Sequence, residues 1–420
     1  MNKARLALFF YALNGLVLPA AFAAPLPKAE FNWRAAPSEE QVAILTLREA
    51  ILRAFARNPK ISEAAAQIHI GEGDLSAAQS AWYPQISLQG AAGRSHQTDS
   101  SGSLNNNGSG GITLSQLLYD FGRTNGAIDE QHALSDAYRF GLFDAMTQVA
   151  KEALQSYLEV KRYQALAATA QTNIASLEHV RDIAKMRADA GLNSQSDVLQ
   201  AETRIAAMHA TREQYLAQLR SANAQLTVLT GVVPATLPEL PQALLQQQIT
   251  LDKIAYENSA SVRSAQYKQE AARERVRQAQ SGHWPSIKVQ AGRTRYENDT
   301  RSYWDDEVQL QVEAPLYQGG LVNAKTQSAE GDRLAAQAAV QQAKLTINQN
   351  ASTSYADMIG AQQRQLAGEA QLASAEHTRN VYADEYRLSK RSLNDLLSVE
   401  QDVFCLLYTS DAADDLLCVD

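Results

Sequence analysis

Trp82-Tyr83-Pro84-Gln85-Ile86-Ser87-Leu88-Gln89 returns about 200 residues later as Trp284-Pro285-Ser286-Ile287-Lys288-Val289-Gln290. Both stretches set aromatics ahead of a proline and then alternate apolar with polar residues, the period of a strand that shows one face to each environment. Working outward, a helical run from Asn58 precedes the first stretch and one from Asn258 precedes the second. A second alternating segment follows each, Ile112-Thr113-Leu114-Ser115 and Val308-Gln309-Leu310-Gln311-Val312-Glu313-Ala314. Each copy then reaches an aromatic-glycine turn, Leu118-Tyr119-Asp120-Phe121-Gly122 and Leu316-Tyr317-Gln318-Gly319-Gly320. Asp197 and Glu202 are matched in the same register by Asp395 and Glu400, so the chain is an internal duplication.

Four alternating segments have an apolar face and a face of Ser, Thr, Gln, Lys and Glu. An antiparallel sheet packed on helices shows the same alternation. Strand length and flanking residues point instead to a membrane β-barrel. About 9 to 11 residues suffice for a tilted strand to cross the hydrocarbon, and Trp82, Tyr83, Tyr119, Trp284, Tyr296, Tyr303, Trp304 and Tyr317 sit at or near strand ends, where amphipathic rings favour the interface. Loops at roughly 97–111 and 297–306 read as outward-facing tips. Since about eight strands are the practical minimum for closure, four require further copies of the same chain. Strand counting alone allows two, three or four subunits.

Helices account for most of the rest. From about Asn125 to Asp189 no proline occurs, and Ala145, Val149, Ala153, Tyr157, Val160, Leu166, Ala170, Ile174, Leu177 and Ile183 recur at helical spacing. At 1.5 Å per residue such a run is roughly 95 Å long, the scale of a coiled coil or a helical barrel. The chain divides into a signal peptide at 1–24 and a first repeat at 25–231, with strands about 86–96 and 111–119 and long helices 125–189 and 194–230. A connector at 232–250 follows, containing Pro234, Pro238 and Pro241 and read as a linker with some helix of its own. The second repeat, 251–404, has strands about 287–296 and 306–317, a long helix 322–389 and the start of a last helix.

Lys3 and Arg5 precede an apolar run from Leu6 to about Leu18 and then Ala21-Phe22-Ala23, the layout of a secretory signal peptide. No cysteine follows the expected cleavage near Ala23 or Ala24, which predicts an N-terminus without lipid. From Cys405 the sequence resembles read-through of a transposon-end sequencing adapter, so 405–420 is expected to be non-native. Both cysteines, Cys405 and Cys418, fall in it, which leaves neither a disulfide framework nor a cysteine-ligated metal.

The formal net charge is −8 and no basic patch is interleaved with aromatics, which argues against nucleic acid as a partner. After the signal no run of 18 apolar residues occurs, which excludes a helical span but leaves a β-barrel open. His69, His96, His132 and His179 lack metal-ligand spacing, and Gly71-Glu72-Gly73-Asp74 lacks the strand and long phosphate loop of a nucleotide site. With no nucleophile motif, neither an enzyme nor a cofactor site is expected.

Taken together, the duplicated helix-Pro-strand-loop-strand layout, Leu118-Tyr119-Asp120-Phe121-Gly122-Arg123 with Pro315-Leu316-Tyr317-Gln318-Gly319-Gly320, and Asp197-Val198-Leu199 with Asp395-Leu396-Leu397 resemble the TolC-like outer-membrane efflux and secretion family from Leu47 to Phe404. The resemblance implies a mainly α fold with a membrane β part: duplicated long helical hairpins in a homotrimeric α-barrel tunnel, continued by a 12-stranded β-barrel with four strands per subunit. It further implies an outer-membrane location with the tunnel reaching into the periplasm, and partners comprising outer-membrane lipid, a periplasmic adaptor and an inner-membrane ABC or RND transporter. The wording Gln116-Leu117-Leu118-Tyr119-Asp120-Phe121-Gly122 resembles members serving type I protein secretion. Drug or metal efflux is the alternative, and a soluble periplasmic coiled-coil scaffold is a third reading.

Ser194-Gln195-Ser196-Asp197 and Ser392-Leu393-Asn394-Asp395 each open a helix as a serine with a carboxylate three residues on, the pattern of a capping box. By the resemblance these turns lie at the periplasmic tip, and the gate positions carry over to Asp197, Tyr386, Arg391 and Asp395. A second acidic ring of some relatives would fall at Ser398, which is not acidic, so cation binding at the mouth is not carried over. Trp82, Tyr83, Tyr119, Trp284 and Tyr317 are the expected membrane-interface aromatics.

Overall fold

A computed structural model describes residues 40–96, 104–240, 254–298 and 301–411. The signal peptide at 1–24 lies outside them, as do 97–103, 241–253, 299–300 and 412–420. The chain forms two compact units. One comprises Met1–Ser62, Met146–Ile254 and Asn348–Asp420, and the other Glu63–Ala145 and Ala255–Ile347. In chain order the strands are β1 (Gln41–Ile44), β2 (Gln85–His96), β3 (Leu104–Tyr119), β4 (Val233–Thr236), β5 (Ser286–Asn298) and β6 (Ser302–Glu313). The helices are α1 (Leu47–Arg57), α2 (Pro59–Gln79), α3 (Arg123–Asp189), α4 (Gln195–Thr230), α5 (Ala260–Gln280), α6 (Leu321–Arg387) and α7 (Leu393–Asp411).

The second unit carries a four-stranded antiparallel sheet in the order β2-β3-β5-β6. Its register gathers the apolar residues on one face. Ile86 lies opposite Leu114, Leu88 opposite Ile112, Ile287 opposite Val312, Val289 opposite Leu310 and Ala291 opposite Val308. The other face pairs Ser87 with Thr113, Lys288 with Gln311 and Gln290 with Gln309, whose amides bond at 3.1 Å. The apolar face is bare: Leu88 and Val308 are 82% and 81% exposed.

Strand ends differ from the sequence expectation. The expected loop at 97–111 is strand from Leu104, because β3 pairs with β2 from Leu104 onward and with β5 as well from Asn107, and these ladders of backbone bonds outweigh the low strand propensity of Asn105, Asn106, Asn107 and Gly108. The loop expected at 297–306 shrinks likewise, since β5 runs to Asn298 and β6 starts at Ser302, with the Tyr296 and Tyr303 rings stacked 5.4 Å apart. At its far end β6 stops at Glu313 rather than 317, as Pro315 has no N–H to give the ladder.

Both sheet-to-helix turns use two successive residues with positive φ. Gly319 and Gly320 serve before α6 (φ 59° and 83°), and Phe121 and Gly122 before α3 (φ 54° and 90°). Phe121 stacks on Trp284 at 5.4 Å and meets Tyr119 edge-on at 4.7 Å. Asp120 then caps α3, its Oδ2 accepting from the Thr124 amide at 2.8 Å and the Thr124 hydroxyl at 2.5 Å. Beside the sheet, α2 approaches α3 closely at Gly71, where a Cβ would stand 2.8 Å from the Tyr138 ring. The Arg275 guanidinium of α5 bonds the buried Glu130 of α3 at 2.7 Å and Asp332 of α6 at 3.2 Å.

In the first unit α3 buries Val149, Ala153, Tyr157, Val160, Leu166, Ala170, Ile174, Leu177 and Ile183 along one stripe, while Ala145, in the second unit, is half-buried. Part of the expected connector is a strand, and its residues 241–250 lie outside the described ones. β4 pairs in parallel with β1 through Gln41–Val233 and Ile44–Thr236, because Pro234 sits at an edge where its missing N–H is not needed. Leu45, Tyr157, Leu226, Val232 and Leu237 pack beneath that pair, and the Tyr157 hydroxyl donates to the Pro238 carbonyl at 2.7 Å. Helix α7 continues through Cys405 to Asp411, into the stretch expected to be non-native, since Leu406 and Leu407 are good helix formers.

Candidate functional site: a polar cluster at the helix ends

Two helix ends in the first unit are built alike. At the end of α3, Gly191 takes φ 69° and Leu192 N–H reaches back to the Arg187 carbonyl at 2.9 Å. At the end of α6, Ser389 takes φ 61° and Lys390 N–H reaches the Glu385 carbonyl at 2.9 Å. These six-residue returns are the Schellman closure, in which a left-handed residue lets late amides satisfy orphan carbonyls. Glycine adopts that conformation freely. Ser389 adopts it against the Cβ penalty, so neighbours must hold it there.

Arg187 is that neighbour. Buried to 7% exposure, it donates Nη1 to the carbonyls of Tyr386 and Arg387, the latter at 2.7 Å, and Nη2 to Ser389 Oγ at 2.7 Å and Asn193 Oδ1 at 2.9 Å. Its guanidinium also lies 4.7 Å from the centre of the Tyr386 ring. Asn193 passes the order on, its Nδ2 donating to Asp197 Oδ2 at 2.6 Å and to the Tyr386 hydroxyl at 3.0 Å. Tyr386, only 1% exposed, stands 3.5 Å from Asp197 through the same hydroxyl. Burial raises the Tyr386 phenol above its ordinary range, and the Asp197 charge adds to it while Arg187 partly opposes. Beneath lies an apolar bed that includes Val180, Ile183, Val198, Leu393, Leu396 and Leu397.

The four expected gate residues therefore fall into separate arrangements. Asp197 and Tyr386 meet through Asn193. Arg391 instead pairs with Glu385 at 3.1 Å and lies 4.0 Å over the Tyr382 ring, and that partner raises its pKa. Asp395 closes a reciprocal capping box with Ser392: its carboxylate accepts from the Ser392 hydroxyl at 2.8 Å and amide at 3.3 Å, and its own amide donates to Ser392 Oγ at 3.3 Å. At Ser194 the box expected from the same spacing is not formed, because the Asp197 carboxylate is taken by Asn193 and Ser194 Oγ accepts from Ser196 instead. Arg187, Asn193, Asp197, Tyr386, Arg391 and Ser392 nonetheless line one open cleft of about 440 Å³. Sequence reading passed over Arg187 and Asn193. The one signal was their placement, one turn before and just after a helix break.

The expected interface aromatics gather at one end of the sheet in the second unit. Trp82 and Tyr83 precede β2, Trp284 precedes β5, Tyr119 closes β3 and Tyr317 follows β6. Tyr83, Tyr119, Trp284 and Tyr317 are exposed, while Trp82 is half-buried with its indole N–H 3.2 Å from Asn125 Oδ1. The opposite end carries Tyr296, Tyr303 and Trp304.

A bare apolar sheet with a polar reverse face, joined to helices of 67 residues, has the geometry of a membrane channel. The chain belongs to the outer membrane efflux protein family, whose sequence pattern matches residues 50–232 and 251–404. It is 24% identical over 374 residues to "Outer membrane efflux protein BepC" of Brucella suis biovar 1 (strain 1330), covering 85% of this chain and 79% of that protein. With "Protein CyaE" of Bordetella pertussis it shares 27% identity over 370 residues, 83% of this chain and 76% of the other. Among solved folds, the CusC channel superposes with a TM-score of 0.79 at 17% identity, covering 94% of this chain and 95% of that one. The protein is thus an outer-membrane efflux channel that extends into the periplasm, with the mainly α, TolC-like fold.

Proposed function

We propose that three copies of this chain form the exit duct of a tripartite export system, with twelve strands closing the barrel. The observation that carries this is the sheet β2-β3-β5-β6: among the described residues both its edges lack a strand partner, and its apolar face is uncovered. Lipid satisfies no backbone polar group, so such edges are tolerated in hydrocarbon only where the sheet closes on itself. Helix α6 supports a subunit contact as well, for it leaves Leu334, Leu345 and Leu366 exposed. Purified from outer membranes and added to planar lipid bilayers, the protein is expected to form discrete, long-lived channels. Bilayers that stay silent at high protein concentration count against the duct.

In this reading the helix-end cluster is the periplasmic gate, with Asp197, Tyr386, Arg391 and Asp395 as its residues. Exposed pairs such as Arg391–Glu385 contribute little singly, but repetition around an axis and the half-buried Asp197–Asn193 pair on the buried Tyr386 supply a closed state that an adaptor can shift through differential affinity. Trp82, Tyr83, Tyr119, Trp284 and Tyr317 form the periplasmic-side aromatic girdle against outer-membrane lipid. A periplasmic adaptor and an inner-membrane transporter complete the assembly. The similarity of Gln116–Gly122 to members serving type I protein secretion favours an ABC transporter and a protein cargo. Crosslinking in cells followed by mass spectrometry tests this, since capture of an RND pump instead would assign the duct to drug or metal efflux.

A further inference from the structure

We infer that Arg187 is the positioning residue of this gate, a latch that holds the α6 end in its closed place from the α3 end. The inference rests on the gate reading above. Three of the four acceptors of Arg187, the Tyr386 and Arg387 carbonyls and Ser389 Oγ, belong to the α6 end, and the fourth, Asn193 Oδ1, belongs to its own α3–α4 turn. One planar fork therefore joins two chain segments about 200 residues apart in sequence. Withdrawing any acceptor from a guanidinium this buried leaves charge desolvated, so its three bonds to α6 reinforce one another. A contact built this way favours two discrete arrangements, as a gate requires.

The duplication shows that the latch is one-sided. Counting from the matched left-handed residues Gly191 and Ser389, the position of Arg187 in the second copy is Glu385, and that of Asn193 is Arg391. Each copy bonds the same two positions, Arg187 to Asn193 at 2.9 Å and Glu385 to Arg391 at 3.1 Å, but with the cation moved to the other partner. In the second copy the pair is partly exposed, 37% on each side chain, and the Arg391 guanidinium turns to Tyr382 of its own helix. Of these two matched pairs, only the first sends its cation across to the other helix end. Through it Tyr386 is fixed twice, at its carbonyl and at its ring, while Asn193, oriented by the same guanidinium, holds the hydroxyl and Asp197.

Single-channel recording of the full-length chain in planar bilayers tests the latch. Arg187→Gln is expected to raise the fraction of time in the high-conductance state about tenfold, equivalent to ~1.4 kcal/mol. Arg187→Lys should raise it nearly as far, since a single ammonium cannot span four acceptors. Combining Arg187→Gln with Tyr386→Phe should add less than the two separate effects, the mark of groups acting as one unit. If Arg187→Gln leaves gating unchanged while Tyr386→Phe or Asp197→Ala opens the channel, Arg187 is only helix-end packing and the inference is overturned. If none of the three changes gating, the gate assignment itself fails. Should Arg187→Gln not assemble, Asn193→Ala and Ser389→Ala each remove one acceptor without stranding a charge in a new site. Either must open the channel measurably, and normal gating in both overturns the latch.

Discussion

Glu400 accepts a 2.9 Å hydrogen bond from the Ser176 hydroxyl inside the helical packing, at 3% exposure, whereas its counterpart in the first copy, Glu202, faces solvent. Burial raises the Glu400 carboxyl above its ordinary range, and the Ser176 bond and the nearby Arg379 and His179 only partly offset it. The raised group binds its proton more tightly in the folded state than in the unfolded one. Its contribution is therefore fully present below the unfolded value and is lost as pH rises through the folded one. Thermal unfolding of the detergent-solubilised protein from pH 4 upward should show this loss. Glu400→Gln, which keeps an acceptor for Ser176, should flatten it and make the variant the more stable form at neutral pH. Parallel profiles would remove Glu400 from the account.

The gate reading makes its own demand on Asp197 and Arg391. Asp197→Ala frees the half-buried Asn193 and the hydroxyl of Tyr386, and Arg391→Ala removes the more exposed pair with Glu385. The double variant should conduct more in its resting state than the parent. Asp197→Ala should account for most of the gain, because hydrogen bonds to a charged group contribute about 1.5–3 kcal/mol and an exposed pair about 0–1 kcal/mol. Equal contributions from the two single variants, read in planar bilayers, would contradict this division.

Close packing gives a third expectation. A Cβ at position 71 would meet the Tyr138 ring at 2.8 Å and the Ser135 backbone at 3.1 Å. Gly71→Ala should therefore destabilise by about 1–3 kcal/mol, the usual cost of overfilling a packed contact. Gly73→Ala, where a Cβ meets nothing within 4 Å, is the matched control and should be neutral or slightly stabilising. Unfolding temperatures of the two variants decide it.

The sheet faces can be told apart by charge. Leu310 lies on the bare apolar face and Gln309 on the polar one. Leu310→Arg should cost about 2–4 kcal/mol near mid-bilayer and reduce insertion into lipid vesicles, whereas Gln309→Arg should insert normally and alter ion selectivity. Similar insertion of both would contradict the assignment of one face to lipid and the other to the lumen, and failure of Gln309→Arg alone would reverse it.

Much of this architecture is legible in the sequence because period-two strands, prolines and caps write themselves into local composition. The Ser392–Asp395 box is such a case, for everything it needs lies within four residues. The identical spacing at Ser194–Asp197 misleads, because Asn193 competes for the carboxylate at 2.6 Å. Arg187 was illegible for a related reason. Its principal acceptors are backbone carbonyls on a helix about 200 residues away, and carbonyls leave no trace in side-chain identity. Strand β3 runs farther into Asn- and Gly-rich sequence than propensity allows, since its ladder with β2, joined from Asn107 by one with β5, decides its extent.

The subunit count bears most directly on the whole account. Native mass spectrometry of the protein extracted from outer membranes in mild detergent should give a single species of three copies, which dissociates to one copy on heating. A species of one copy, recovered from the aqueous fraction without detergent, would contradict the shared barrel and the duct built on it.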